Sequence, residues 1–295
     1  MHDGLVVVDK PTGCTSHDIV ARIRKVYGQR KVGHAGTLDP DATGVLLVGL
    51  GRVTRLLRYL QETTKVYRGT VRFGVATSTL DAAGDVLERA PMTASRDDVV
   101  VAATRFVGDI EQIPPMVSAI KIDGRRLHEL ARRGEEVERP PRSVHIARLD
   151  IVAFEDGPYP AAEVLVECSS GTYIRTLAAD LGAALGGCAH LESLRRLSVG
   201  SFGLDESHDL DAIAAAPESV IVAPLDAMRD LERVDVDAEC ARAVSHGTTF
   251  AGSALATTGD GPYALASPEG ELVAVYERRG SGVKPSVVVS TADGG

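Results

Sequence analysis

The sequence predicts an α+β protein with a mixed, mainly antiparallel central sheet flanked by helices, followed by a small β-rich C-terminal part. Three observations carry this. Stretches with strand alternation and stretches with helical spacing follow one another without a regular βαβ rhythm, which argues against a doubly wound parallel sheet. KVYRGTVRFGVAT (65–77) alternates as a half-buried strand does. From residue 232 onward, short strand-like pieces (TTFAG, PYALAS, LVAVYER, SVVVS) lie between Gly and Pro turns.

The elements follow in order. GLVVVDKPTG (4–13) reads as a short buried strand ended by a Pro-Gly turn. SHDIVARIRKVYG (16–28) reads as a helix, with Ser16 as its N-cap, Ile19, Val20, Ile23 and Val26 at helical spacing, and Gly28 as its stop. GVLLVGLG (44–51) reads as a strand. RVTRLLRYLQETTK (52–65) reads as a helix with Val53, Leu56, Leu57 and Leu60 inward and Arg52, Arg55 and Arg58 outward. Residues 96–107 look helical, and GRRLHELARRGEEVERPPR (124–142) is a charged helix and loop with too little apolar surface for a core. ARLDIVAFE (147–155) and AAEVLVECSSG (161–171) read as strands, and TYIRTLAADLGAALG (172–186) as a helix starting near Thr172. HDLDAIAAAPESVIVAPLDAM (208–228), rich in Ala and Pro, reads as a linker. These elements predict two domains, 1–230 and 231–295, with a charged insertion at about 118–143 in the first.

Composition narrows the function classes. The chain has 295 residues, 44% hydrophobic and 25% charged, as globular proteins do. MHDGLVVVDKPTG has no basic region before its apolar run, so no secretory signal is expected. No stretch reaches the roughly 20 apolar residues of a membrane span. Four scattered cysteines (Cys14, Cys168, Cys188, Cys240) fit a reduced, cytoplasmic setting. The net charge of -9 hides an asymmetry. Residues 1–72 carry +6 and residues 73–295 carry -15, a distribution compatible with a phosphate-binding face.

Several chemistries are absent from the sequence. LHELAR starts like a zincin helix, but the residue four after His128 is Arg132. Cys188 and His190 have no second pair to complete a zinc site. VGLGRVTR lacks the third glycine of a dinucleotide fingerprint, and there is no phosphate loop or nucleophile elbow. What remains is GHAGTLDPDATG (33–44), with two acids flanking Pro40. Proline pushes Asp39 out of the helical region into extended backbone. Held that way among glycines, its carboxylate is a candidate nucleophile, or simply an Asx-turn.

The wider pattern decides between these. VDKPTGCTSHD (8–18), KVGHAGTLDPDATGVLLVGLGRVTR (31–55), KVYRGTVRFGVATSTLDAAGD (65–85), QIPPMVSAIKIDGRRLHELARRG (112–134) and CSSGTYIRTLAADLGAALGGCAHLESLRRL (168–197) run in order through the first two hundred residues. Together they resemble the TruB family of tRNA pseudouridine-55 synthases.

The resemblance implies the pseudouridine synthase fold and an isomerase that converts uridine 55 in the tRNA T-loop to pseudouridine, without a cofactor or metal. It implies Asp39 as nucleophile, with Asp41 at a variable position of the motif. Tyr67 would stack on the uracil and is a candidate to remove the C5 proton. Arg175 would pair with the aspartate and keep it ionised. His34 would help displace and hold the flipped nucleotide. Tyr173 and Leu194 would line the base pocket, and Lys10 and Lys121 would bind substrate. The 118–143 insertion would clamp the T-stem-loop, Arg52, Arg55, Arg58, Lys65 and Arg68 would meet phosphates, and the tail would be an RNA-binding domain of the PUA type. The expected protein is a cytoplasmic monomer that binds tRNA, with no membrane and no small-molecule partner. The alternatives are a non-catalytic tRNA-binding or tRNA-folding protein on the same scaffold, or a synthase for another uridine.

Overall fold

A computed structural model describes residues 1–117, 121–122, 125–126, 137–251, 255, 257 and 259–289. The chain runs β1 (Gly4–Lys10), α1 (Ser16–Tyr27), β2 (Val32–Ala35), β3 (Thr43–Leu50), a 3-10 turn (Gly51–Arg55), α2 (Leu57–Gln61), β4 (Lys65–Phe73), β5 (Val75–Thr77), β6 (Val86–Arg89), α3 (Arg96–Ala103) and β7 (Gly108–Gln112). Then come β8 (Lys121–Ile122), β9 (Arg125–Arg126), β10 (Arg142–Glu155), β11 (Ala161–Cys168), α4 (Ile174–Ala184), β12 (Ala189–Val199) and β13 (Phe202–Gly203). The last part holds α5 (Leu210–Ala215), β14 (Ile221–Val222), β15 (Glu232–Asp235), α6 (Ala238–Ser245), β16 (Phe250–Ala251), β17 (Tyr263–Ala266), β18 (Leu272–Arg279) and β19 (Gly282–Val288). The class is α+β, as the irregular alternation predicts.

The chain divides into two compact units. The first is residues 1–40, 45–61 and 199–295. Here β1 lies between β14 and β3, and β2 pairs antiparallel with β3. The run LVVV is apolar at every position because β1 buries both faces. Val6 and Val8 pack with Ile19, Val20 and Ile23 of α1 and with Leu46 and Val48. Leu5 and Val7 face the other way, among Val45, Leu47, Val53, Leu56, Ala264, Val275 and Val287. α1 starts with a capping box between Thr15 and Asp18 and ends where Gly28 turns left-handed at φ 60.

One expectation changes in this unit. The stretch 208–228 is not a linker. It forms α5, buries Ile213 completely, and supplies β14, which pairs antiparallel with β1 through Leu5↔Val222 and Val6↔Ile221. Its alanines and prolines disguise it because α5 is only six residues long and β14 only two. The tail forms a five-stranded sheet in the order β15-β17-β18-β19-β16, with α6 against it. One face has its own core of Val234, Val244, Tyr263, Leu265, Tyr276 and Val283. The other contributes Ala264, Leu272, Val275 and Val287 to the core that holds Leu5 and Leu47, so the tail shares a core with the first sixty residues.

The three arginines expected at phosphates also serve the tail. Arg52 donates to the Val289 carbonyl at 3.1 Å and Arg55 to the Val288 carbonyl at 2.9 Å. Arg58 reaches Glu277 at 3.0 Å and the hydroxyl of Ser286. Tyr59 and Ser286 also donate to Glu277, at 2.8 and 2.7 Å. These bonds hold Glu277 below the ordinary glutamate range, the Ser286 hydroxyl foremost.

The second unit is residues 41–44 and 62–198. Its strands run β12-β4-β11-β10-β7. β4 and β11 are antiparallel over eight pairs, from Ala161↔Arg72 to Cys168↔Lys65, and β10 is antiparallel to both β11 and β7. Thr43 and Gly44 add a parallel pairing to Arg195 and Arg196, which makes the sheet mixed. The alternation of KVYRGTVRF has a direct cause. Lys65, Tyr67, Gly69, Val71 and Phe73 point to the buried face, and Val66, Arg68, Thr70 and Arg72 are more exposed. At Gly44, φ is 102° and a β-carbon would lie 2.1 Å from the Arg196 carbonyl oxygen, so only glycine fits. Most of the 118–143 insertion, with His128 and the Lys121 side chain, lies outside the described residues.

Candidate functional site

Asp39 occupies the turn between β2 and β3, and its neighbours on both sides are pinned by the segment joining β1 to α1. The Leu38 N–H donates to Ser16 Oγ at 3.0 Å, and the same hydroxyl donates back to the Leu38 carbonyl at 3.2 Å. The Pro40 carbonyl accepts from Lys10 Nζ at 2.9 Å and from the Gly13 amide at 3.0 Å. Lys10 also donates to the Pro11 carbonyl at 2.9 Å. With Pro40 restricting Asp39 and the flanking peptides held, the carboxylate projects from a fixed backbone. Asp39 is partly buried and Asp41 is exposed.

One reading of this segment is corrected. The N-cap of α1 is Thr15, not Ser16, and Ser16 is the first helical residue. That shift frees the Ser16 hydroxyl for Leu38. Lys10, expected to bind substrate, is fully buried, and two of its bonds end on backbone carbonyls. A buried ammonium is tolerated only where carbonyls or charges replace water, and through these bonds Lys10 braces the turn. His34 lies in β2, half-buried, with its ring against the ring of His17 at a 5.3 Å centroid separation and 83°.

The second unit positions the other residues. Tyr67 is buried in β4 opposite Val166. Two residues on, a β-carbon on Gly69 would lie 3.3 Å from Leu194 of β12, so the missing side chain lets Leu194 close on the strand that carries Tyr67. Tyr173 is the N-terminal cap residue of α4 and Arg175 is in its first turn. Gln112, at the end of β7 and only 1% exposed, accepts the Tyr173 N–H at 2.9 Å and donates to the Tyr173 carbonyl at 3.3 Å.

Arg175 is buried, with 5% of its side chain exposed, and pairs with Asp81 at 3.3 Å. It also donates to the carbonyls of Thr79 at 3.2 Å and Val117 at 2.8 Å. The turn carrying Asp81 is itself anchored. The Leu191 N–H donates to the Leu80 carbonyl at 2.9 Å and the Ala82 N–H to the Leu191 carbonyl at 3.0 Å, and Leu80 sits at φ 63, unusual for a bulky residue. Lys65 is buried at the start of β4, where burial foremost, and then Arg196, push its amine down to about 8.

Sequence reasoning missed three residues here. Asp81, Gln112 and the backbone role of Ser16 all act across 22 or more positions. The signals available were weak: an acid in the STLDAAGD turn, and a glutamine ahead of a proline pair.

Comparison with known proteins places the chain. Residues 24–174 match the model of the TruB family pseudouridylate synthase (N terminal domain). The chain belongs to the TruB family of pseudouridine synthases. Residues 175–236 match the tRNA pseudouridylate synthase B C-terminal domain, and residues 231–290 the tRNA pseudouridine synthase II C-terminal model. The chain is 46% identical over 294 residues to the tRNA pseudouridine synthase B of Mycobacterium sp. (strain KMS), covering 98% of this chain and 97% of that one. It is 45% identical over 298 residues to the enzyme of the same name from Thermobifida fusca, covering 98% and 99%. Among solved structures, a Cbf5-Nop10-Gar1 complex aligns with TM-score 0.77 and 25% identity, over 98% of this chain and 85% of that one. An H/ACA RNP bound to a substrate RNA containing 2′-deoxyuridine aligns with TM-score 0.75 and 24% identity, over 98% and 86%. TruB-family membership makes the chain a pseudouridine synthase enzyme. Among the described residues, no helix is long and apolar enough to cross a membrane.

Proposed function

We propose that this enzyme isomerises uridine 55 in the T-stem-loop of tRNA to pseudouridine, with Asp39 as its nucleophile, as a monomer in the cytoplasm. The observation that carries the reading is the Leu38–Asp39–Pro40 turn, pinned on both sides of the carboxylate, in a chain of this family. Relatives at 46% identity named tRNA pseudouridine synthase B support tRNA as the substrate.

The chemistry needs a target base turned out of its stack, at a cost of a few kcal/mol. His34 holds the displaced nucleotide, Tyr67 stacks on the uracil, and Tyr173 and Leu194 wall the base. Stacking of this kind contributes about 1–3 kcal/mol per base. Asp39 promotes cleavage of the N1–C1′ bond, a step for which its carboxylate must carry its charge. The base then turns, C5 bonds to C1′, the C5 proton leaves to a base for which Tyr67 is the candidate, and N1 takes up a proton. Atoms and electrons balance within the nucleotide, so the reaction consumes no co-substrate. Asp81 fixes the guanidinium of Arg175, and Lys10 and Gly13 fix the turn of Asp39.

The test is to incubate the protein with unmodified tRNA and map pseudouridine. Product at position 55 is expected. Product only at another uridine would replace the specificity, and tight binding with no product would make the chain a tRNA-binding or tRNA-folding protein.

A further inference from the structure

The first turn of α1 touches two functional segments at once. Ser16, 1% exposed, uses one oxygen to satisfy both backbone groups of Leu38, the residue before Asp39. A hydroxyl offers one donor and two acceptor sites, so this bridge uses its donor and one lone pair. Leu38 is itself 3% exposed, so water cannot replace the bridge without a rearrangement of the turn. The next residue, His17, is exposed and lays its ring edge-to-face against His34, at 5.3 Å and 83°. Both side chains leave a turn that is rigid for its own reasons. Thr15 accepts from the Asp18 amide at 3.1 Å, and the Asp18 carboxylate accepts from the Thr15 amide at 2.8 Å and its hydroxyl at 2.7 Å.

We propose that Ser16 and His17 are positioning residues for the isomerisation, Ser16 setting the carboxylate of Asp39 and His17 setting the imidazole of His34. The inference rests on the proposed roles of Asp39 and His34. Lys10 and Gly13 hold the far side of Asp39, through the Pro40 carbonyl. Without the bridge, Leu38 can rotate its peptide, and that rotation carries the Asp39 α-carbon with it. A misplacement near 1 Å at a nucleophile costs about 100-fold in rate. For His17, one edge-to-face ring contact corresponds to about threefold to tenfold.

The experiment measures single-turnover rate, RNA affinity and melting temperature for the full-length protein on an unmodified T-stem-loop RNA. Ser16→Ala is expected to lower the rate about 100-fold with RNA affinity within twofold, and Ser16→Thr, which keeps the hydroxyl, to recover most of it. His17→Ala is expected to lower the rate about threefold to tenfold, and His17→Phe, which keeps the ring edge, to recover it. A Ser16→Ala protein that is folded and turns over at the wild-type rate overturns the Ser16 role. A rate loss that only tracks the unfolded fraction also overturns it, since that is a stability effect. If Ser16→Ala does not fold, Ser16→Cys carries the test, and a wild-type rate there overturns the role. Equal rates for His17→Ala and His17→Phe overturn the His17 role. Asp39→Asn is the control. If it is inactive while Ser16→Ala is fully active, the functional reading stands and this inference falls.

Discussion

The Asp39 turn and the corner carrying Tyr173 and Arg175 use the same device on different foundations. In each, a buried polar side chain takes both backbone groups of one residue: Ser16 on Leu38, and Gln112 on Tyr173. The Asp39 turn is otherwise held by Lys10 and Gly13, from a segment about thirty positions upstream. The corner is otherwise held by an ion pair, with Asp81 reaching Arg175 across 94 positions, and by the Thr79 and Val117 carbonyls on the same guanidinium. The carboxylate is placed by bonds to the backbone of its neighbours, whereas the cation is placed by an opposite charge as well as by the Thr79 and Val117 carbonyls. That division suits their proposed tasks. A carboxylate that must act on a nucleotide gains from having its backbone fixed. A guanidinium that only supplies charge can be enclosed on several sides.

Four measurements would break or sharpen this contrast. The largest effect is expected at Asp39. Asp39→Asn should abolish product formation while RNA still binds, and Asp41→Asn should keep most activity. Equal loss in both would show that the turn, not one carboxylate, is what matters. Next is Asp81→Ala, which leaves the Arg175 cation buried without that counter-charge. A loss of about 3–5 kcal/mol is expected, read from the urea midpoint, together with a fall in turnover. Gln112→Leu removes the two Tyr173 bonds and should cost about 1–3 kcal/mol. If it costs as much as Asp81→Ala, the corner is not held mainly by charge and the contrast collapses.

The smallest effect concerns Lys65, buried in the second unit. Lys65 gives up its proton near pH 8 in the folded protein, whereas an unfolded lysine does so near 10.4. Above about pH 8 the unfolded chain therefore binds more protons, and stability rises with pH. Cys168, raised to about 11 mainly by burial, acts in the opposite sense once an unfolded thiol ionises near 8.5. The gain is thus confined to roughly pH 8–9. Denaturation midpoints across that interval should climb in the wild type and fall slightly in Lys65→Met, where Cys168 acts alone.

Much of this was legible in the sequence, for reasons that differ by residue. β4 was legible because a sheet with one buried face imposes a period of two on KVYRGTVRF. Asp39 was legible because its chemistry is packed into a dozen contiguous residues. Gln112 and Asp81 were not, because their partners lie 61 and 94 positions away and neither residue type is rare in loops. Ser16 was recognised as important for the wrong reason, since a Thr-Ser pair offers two possible caps and only the capping box with Asp18 separates them. The bonds of Arg52, Arg55 and Arg58 to the tail were not legible because an exposed arginine looks the same in sequence whether it meets a phosphate, a carbonyl or a carboxylate.

Those three arginines also set a timetable for the nascent chain. Arg52 waits for a carbonyl 237 positions downstream, and the apolar face of Val45, Leu47 and Leu56 waits for β17, β18 and β19. At roughly 5–20 residues per second on the ribosome, that is about 10–50 s of bare hydrophobic surface. During that interval the half-made protein depends on its cellular surroundings, such as chaperones, more than the finished one does.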